Sequence, residues 1–353
     1  MTPYLFVFFL TLTPAIIKVP RWYQGFLYII YIFFIGLRFE VGGDWDGYIF
    51  LFENSEFAPW LGSHAISHDF AYHWLNKLAI ILNQDIYFIN FAIAIVFVSC
   101  LFIFCKELKN PYLGLTVAFP YLTTVVAMGY TRQSAAIGFE MLAILALAKR
   151  RKLIFFVYLL LGTLFHKSLL IAILIPLLMK IQESIQEKKV INIIALIILA
   201  LFTLISAGIV IEATSRFADI YLTGQLVSSS GAAIRLLMNL LPAIIFLLEY
   251  YRGNNFFSHS SNAYLALSWL VILSFLLLIV GLSTLADRLA LYLIPIQLYV
   301  LGNLPYLFFP KQRELFFRWL FLVIGYSSAV LWVWLKFSNH ASEWLPYRMY
   351  PFI

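Results

Sequence analysis

Charge is what this chain has least of. Lys, Arg, Asp and Glu make up 12% of its 353 residues, about half the share usual in a soluble domain. With 63% hydrophobic residues, that scarcity excludes an ordinary water-soluble fold and points to a bilayer. Cysteine is nearly absent as well. Cys100 and Cys105 stand five apart in one apolar run, a spacing that fits neither a disulfide framework nor a metal site, so they read as packing residues. No basic residue precedes the first apolar stretch, so no cleavable signal peptide is expected. Walker loops, HExxH, GxSxG and dinucleotide fingerprints are missing too, which removes support for nucleotide-driven transport and metalloprotease chemistry. No metal or other cofactor is expected.

What the chain does have is apolar runs. A span needs roughly 17–25 apolar residues, fewer when its ends sit at interfaces. About twelve such runs fall near 1–17, 23–38, 86–105, 111–129, 132–148, 152–166, 168–181, 190–211, 235–251, 263–283, 286–308 and 314–335. The expectation is an all-α polytopic membrane protein, a single transmembrane domain over 1–353 with external loops at 38–85 and 210–234. Orientation follows from the basic residues. Taking alternate loops, one set holds fifteen of the 24 Lys and Arg, many in short turns such as "KRRK" at 149–152. That set is read as cytoplasmic, and an even number of spans places both termini outside. The formal charge of +7 is therefore a topology signal, with no nucleic acid implied. The external set holds only nine cations yet most of the acids, including Glu40, Asp44, Asp46, Glu53, Glu56, Asp69, Asp85 and Asp287.

Polarity collected at one face directs attention there. In "GLRFEVGGDWDGYIFLF" (36–52), Arg38 ends an apolar run, Gly42-Gly43 permits a tight backbone, and Asp44 and Asp46 flank Trp45. Such a loop could aim an acid at a reacting hydroxyl while Arg38 binds an anion; the plainer alternative is an interfacial loop of surface acids. "GYTRQSAAIGFE" sets Arg132 and Gln133 at an external helix start, with Glu140 two turns deeper on the same face and Arg132 its nearest candidate partner. A pair that only fixes packing is the competing reading. "LFHKSLL" puts His166 in a turn between apolar runs, either as an interfacial residue or as a catalyst. Arg235 after "SSSGAAI", and Asp287, Arg288 and Tyr292 in "STLADRLALY", suit phosphate binding at helix starts or simple anchoring at the interface. External arginines, acids and a histidine together suit an anionic lipid phosphate with a polar head group.

In order along the chain, "GLRFEVGGDWDGY", "TRQSAAIGF", "LFHKSLLI", "ADRLALYL" and the final "EWLPYRMY" resemble the signatures of EpsG-type and Wzy-type polysaccharide polymerases. Many members read Val-Gly-Thr-Asp where this chain has Val41-Gly42-Gly43-Asp44, so glycine replaces a hydroxyl residue. The resemblance implies a GT-C-like membrane fold in the bacterial inner membrane, with its site on the external face. It implies a glycosyltransferase that joins oligosaccharide repeat units carried on undecaprenyl diphosphate, as in O-antigen or exopolysaccharide synthesis. An acceptor hydroxyl attacks the anomeric carbon of the growing chain and lipid diphosphate leaves. On that logic Arg132, Arg235 and Arg288 bind diphosphate, with Arg38 a further candidate, and Asp44, Asp46 or His166 is the general base. Gln133, Glu140 and Tyr292 complete the expected substrate-binding set. Expected partners are the lipid-linked donor and acceptor, membrane lipid and a chain-length regulator.

Two other classes compete. A lipid-linked oligosaccharide flippase or transporter would need polar lining through the membrane, whereas charge at depth is nearly limited to Glu140. An O-antigen ligase would share the lipid donor, though it usually carries a larger external domain than 38–85. The orientation is testable directly. Reporter fusions after Arg151 and after Lys189 should report cytoplasm and one near Ser55 the exterior; a cytoplasmic signal at Ser55 would overturn the external site.

Overall fold

The computed structural model describes residues 1–61, 69–186, 231–253, 261–279, 283–308 and 313–352. Its contacts divide the chain into two compact units. One comprises Met1–Met141, Leu164–His166 and Leu301–Ile353; the other comprises Leu142–Thr163 and Lys167–Val300. Among the described residues, six helices are long and apolar enough to cross a bilayer, or seven if a bent pair counts as one span. The sequence reading counts twelve. The difference is one of length and composition. Helices α1 (Thr2–Ile16), α2 (Trp22–Gly36) and α8 (Lys152–Phe165) are apolar but shorter than a full crossing. Helix α7 (Thr131–Ala148) carries Arg132, Gln133 and Glu140 and is not among the six. The run 190–211 lies outside the described residues.

In the first unit, α2 packs on α5 (Ile86–Lys106) at very short range. A Cβ on Gly36 would meet the Phe91 backbone at 2.8 Å, and the Tyr28 and Ser99 hydroxyls bond at 2.8 Å across the pair. Helix α6 (Pro111–Gly129) is almost wholly buried, and Cys105 packs beside its Gly114 while Cys100 packs beside Gly138 of α7. Both cysteines are free and buried, as packing residues should be. Residues Phe119–Val126 of α6 are wound as a π-helix, which releases carbonyls from the ordinary ladder. One of them, Thr124 O, accepts the Trp344 indole N–H at 2.8 Å.

That bond belongs to a C-terminal tail that returns to the opening stretch. After α14 (Arg313–Phe337), strand β2 (Arg348–Met349) pairs antiparallel with β1 (Arg38–Phe39). The Tyr4 hydroxyl donates to Trp344 O at 2.9 Å, the Tyr347 hydroxyl to Phe34 O at 2.9 Å, and Arg348 pairs with Glu40. Gly42 donates its N–H to Glu343 O at 2.8 Å. Its φ of +111° is open to glycine, and a Cβ there would stand 2.4 Å from Met128 O. Gly42 thus serves internal packing, and the tight backbone that the sequence allows at Gly42-Gly43 is used against α6. Gly43 has nothing within 4 Å. Gly42→Ala should therefore destabilise the fold by about 1–3 kcal/mol, read as a lower thermal midpoint in detergent. Gly43→Ala should leave that midpoint nearly unchanged, and equal effects would show that the contact with α6 does not matter.

Candidate active site

The chain turns between α6 and α7 at Tyr130, and the α7 start is assembled from outside. Buried Arg38 reaches this break, donating to Met128 O at 2.9 Å and to the Thr131 hydroxyl at 2.8 Å. It also donates to Ile35 O (2.7 Å), Val41 O (3.2 Å) and Asn90 Oδ1 (3.3 Å). Arg38 is 1% exposed, and its Nε, Nη1 and Nη2 all donate to protein oxygens. Its fork is thus turned to the backbone it holds together, where the sequence reading has it as a further candidate anion ligand.

Arg132, two residues past the break, is placed differently. Its backbone N–H meets the Tyr48 hydroxyl at 3.4 Å, and its guanidinium lies 5.8 Å from the ring centres of both Tyr48 and Tyr72. Nη1 donates to Asp69 Oδ2 at 2.9 Å, and the same oxygen faces His166 Nδ1 at 3.1 Å. Asp69 is the N-cap of α4 (Phe70–Ile81), yet its side chain makes no cap bond and its φ is +64°. Asp at an N-cap normally closes its own helix. Here a left-handed backbone turns the carboxylate toward Arg132 and His166, which is strain of the kind that gathers at working sites. The carboxylate can only accept, so His166 Nδ1 carries the proton and the Nε2 of a neutral ring keeps its lone pair. Among buried atoms, Arg132 Nε and the Tyr72 hydroxyl have no hydrogen-bond partner.

Asp44 is open to solvent at the start of α3 (Trp45–Ser55), without a side-chain cap bond. Surrounding protein still raises its carboxyl above the ordinary carboxylate range, while nearby Arg132 pulls it down. Asp46 is exposed in the first turn of α3. The two acids belong to a helix start where the sequence reading has an extended loop. A helical step of about 200° still points them apart. Gln133 is half-buried beside Arg132. Glu140 is 1% exposed and its Oε2 has no hydrogen-bond partner; the expected pairing with Arg132 is replaced by Arg132–Asp69.

The second unit holds the other arginine. Arg235, in the first turn of α10 (Ala232–Tyr251), pairs through Nε with Asp287 of α12 (Ser283–Tyr292). One turn on, Asn239 donates to Ala290 O at 2.8 Å and accepts from Gln297 at 2.6 Å. These bonds sit beside the break between α12 and α13 (Pro295–Phe308), where the axis bends by 50°. Arg288 is half-buried and Tyr292 buried.

A family model described as EpsG family matches residues 21–349. The chain belongs to the EpsG family. Membership supports a polysaccharide polymerase-type role and suggests a glycosyltransferase-type activity. No curated protein and no solved structure matches the chain.

For this EpsG-family chain, the sequence reading finds Arg132 and His166 but gives their common partner no role. Asp69 was visible only as one external acid among many. The available signal was an Asp just before the apolar-periodic segment 70–81, which reads as an N-cap and conceals its actual duty. Tyr48 and Tyr72 were missed as ordinary aromatics. Because Asp69 is buried, breaking its pair by Asp69→Asn or Arg132→Gln should cost about 3–5 kcal/mol each, toward the lower figure since Arg132 keeps 27% side-chain exposure. A double-mutant cycle by chemical denaturation in mixed micelles should show coupling of about 0.5–3 kcal/mol. Additive effects would mean that the two act independently.

Proposed function

We propose that this chain is the polymerase that joins undecaprenyl-diphosphate-linked oligosaccharide repeat units at the external face of the bacterial inner membrane. The observation that carries the reading is the single Asp69 oxygen shared by Arg132 and His166. Asp69 holds His166 with Nε2 available as general base for the acceptor hydroxyl. That hydroxyl oxygen bonds to the anomeric carbon as the bond to lipid diphosphate breaks. Arg132 meets the negative charge that grows on the departing diphosphate, its fork matched to two oxygens at once. Arg235 and Arg288 remain proposed diphosphate ligands, and the partners remain the lipid-linked donor and acceptor.

A second reading makes Asp44 the base, favoured by its position near Arg132 and its raised carboxyl. A base acts deprotonated, so the acid limb of the rate profile would then lie above the ordinary carboxylate range and vanish in Asp44→Asn. Purified variants are compared in chain extension on lipid-linked repeat units, with folding checked by size exclusion. His166→Ala should lose about 10²–10⁴ in rate, Arg132→Lys should fail because the planar fork is gone, and Asp46→Asn should be mild. Full activity in His166→Ala with loss in Asp44→Asn would move the base to Asp44. Cells lacking the protein should display single repeat units; their complete absence would favour the ligase or flippase.

A further inference from the structure

Helix α4 buries polar groups beside its apolar contacts. Tyr72 and Ala79 sit in an apolar cluster, and His73, Asn76 and Lys77 are buried alongside them, with Lys77 7% exposed. Its outward face carries Trp74, Leu78 and Ile81, followed by Leu82, with Ile81 61% exposed. The inward polarity has a stated purpose. His73 Nε2 is 2.9 Å from Pro59 O, Asn76 Nδ2 donates to the Ser55 hydroxyl at 3.3 Å, and Lys77 Nζ donates to Glu56 O at 3.0 Å. These three residues satisfy the irregular chain 55–60 that follows α3 and so fix α4's orientation. Phe57 and Leu61 on that chain are also exposed, and Trp60 meets Trp74 edge to face at 5.1 Å. The exposed side chains of α3 include Asp46, Glu53 and Asn54. Exposed acids thus lie on α3, beside Phe50, while the exposed face of α4 is an apolar stripe.

We propose that the outward stripe of α4 lies in the acyl-chain boundary of the leaflet on its side of the membrane. Two features select lipid as the occupant. The stripe on α4 has no exposed charge, and only the short polar connection Asn83–Asp85 separates it from the membrane span α5, whose outward residues include Ile95 and Ile103. Asp85 caps α5 by accepting from Tyr87 N at 2.9 Å, which places a carboxylate, and hence water, at that level. Ile81 and Leu82 are thereby held near the interface. Twelve residues reach only about 18 Å, too short to cross about 30 Å of hydrocarbon. A shallow position, about 5–10 Å into the boundary, is the one that covers the stripe and leaves Asp85 wet. Helix α4 is then half immersed, where the sequence reading has an external loop over 38–85. Asp69 caps this same helix, so α4's depth sets the height of Arg132 and His166. On the polymerase reading, that height lets diphosphate reach Arg132 while the polyprenyl chain stays in lipid.

The test does not depend on activity. In a Cys100→Ala, Cys105→Ala background, Leu78→Cys and, separately, Ile81→Cys are labelled with an environment-sensitive fluorophore. The protein is reconstituted in vesicles of phosphatidylethanolamine and phosphatidylglycerol, and Asn54→Cys on α3 serves as the aqueous control. At 78 and 81, emission should fall with spin-labelled lipid, more for a label near the head group than near the chain end. Iodide should quench only position 54. Iodide quenching at 78 and 81 would overturn the proposal. So would insensitivity to both quenchers with emission that changes on diluting protein in lipid, which would mean that a second copy covers the stripe. If the lipid result holds while chain extension fails, the polymerase reading falls and the immersed helix stands.

Discussion

The first unit depends on a buried guanidinium with no carboxylate beside it among the described residues. A lone cation out of water costs several kcal/mol, and Arg38 is tolerated because five protein oxygens surround its fork. Those oxygens come from the end of α2, the loop after β1, the end of α6, the start of α7 and Asn90 of α5. Satisfying one charge therefore ties five pieces of chain to one point. The tail adds a second tie through β2, Glu343 O and Trp344, and it uses a carbonyl that the π-wound stretch of α6 releases. The turn that introduces Arg132 is rigid because of these contacts, and a rigid frame is what a site needs to hold its groups in working geometry.

Arg132 solves the same desolvation problem incompletely, and that incompleteness is informative. It has a charge partner in Asp69 and two aromatic rings beneath it, yet Nε is buried without an acceptor and the side chain keeps some solvent. Arg38 is 1% exposed and turns all three of its nitrogens to protein oxygens. Two arginines that look alike in sequence thus separate by what remains undonated: one holds the backbone, the other can still take up an anion. The half-buried Arg235–Asp287 pair of the second unit is intermediate, since its cation already faces an acid.

Helix positions were largely legible because apolar periodicity and length are local signals. The runs at 86–105 and 111–129 correspond closely to α5 and α6. The spans were less legible, because several apolar helices are too short to cross alone and the polar start of α7 interrupts a buried helix. Within the site, Arg132 and His166 could be singled out since charge is scarce in this chain. Their pairing could not. Asp69 is 63 residues from Arg132 and 97 from His166, and nothing local says that an N-cap aspartate will abandon its own helix. Arg38 failed for the complementary reason: a charge beside glycines reads as a ligand site until its acceptors are known. Glu140 was assigned to the nearer cation along the helix, but a closer acid in space had already taken it.

The opening stretch combines these constraints. Its inner side is fixed at Arg38, at Gly42 against Met128, and at β1 against β2. On its outer side Gly43, Asp44 and Asp46 are exposed, while Trp45 packs inward. Asp44 therefore stands one residue beyond an anchored backbone, with no cap bond to its own helix and with Arg132 near enough to influence its titration. An acid so placed keeps its rotamer freedom while its Cα is held. His166 is the reverse case, since a bond through Nδ1 fixes its ring and the reactive nitrogen is pointed for it. Proton transfer favours a base whose direction is set before substrate arrives. A carboxylate at an open edge is better suited to following a mobile sugar or balancing Arg132. On the proposed polymerase reading, this difference in restraint between the two side chains is the reason to give the proton to His166 and the adjustable contact to Asp44.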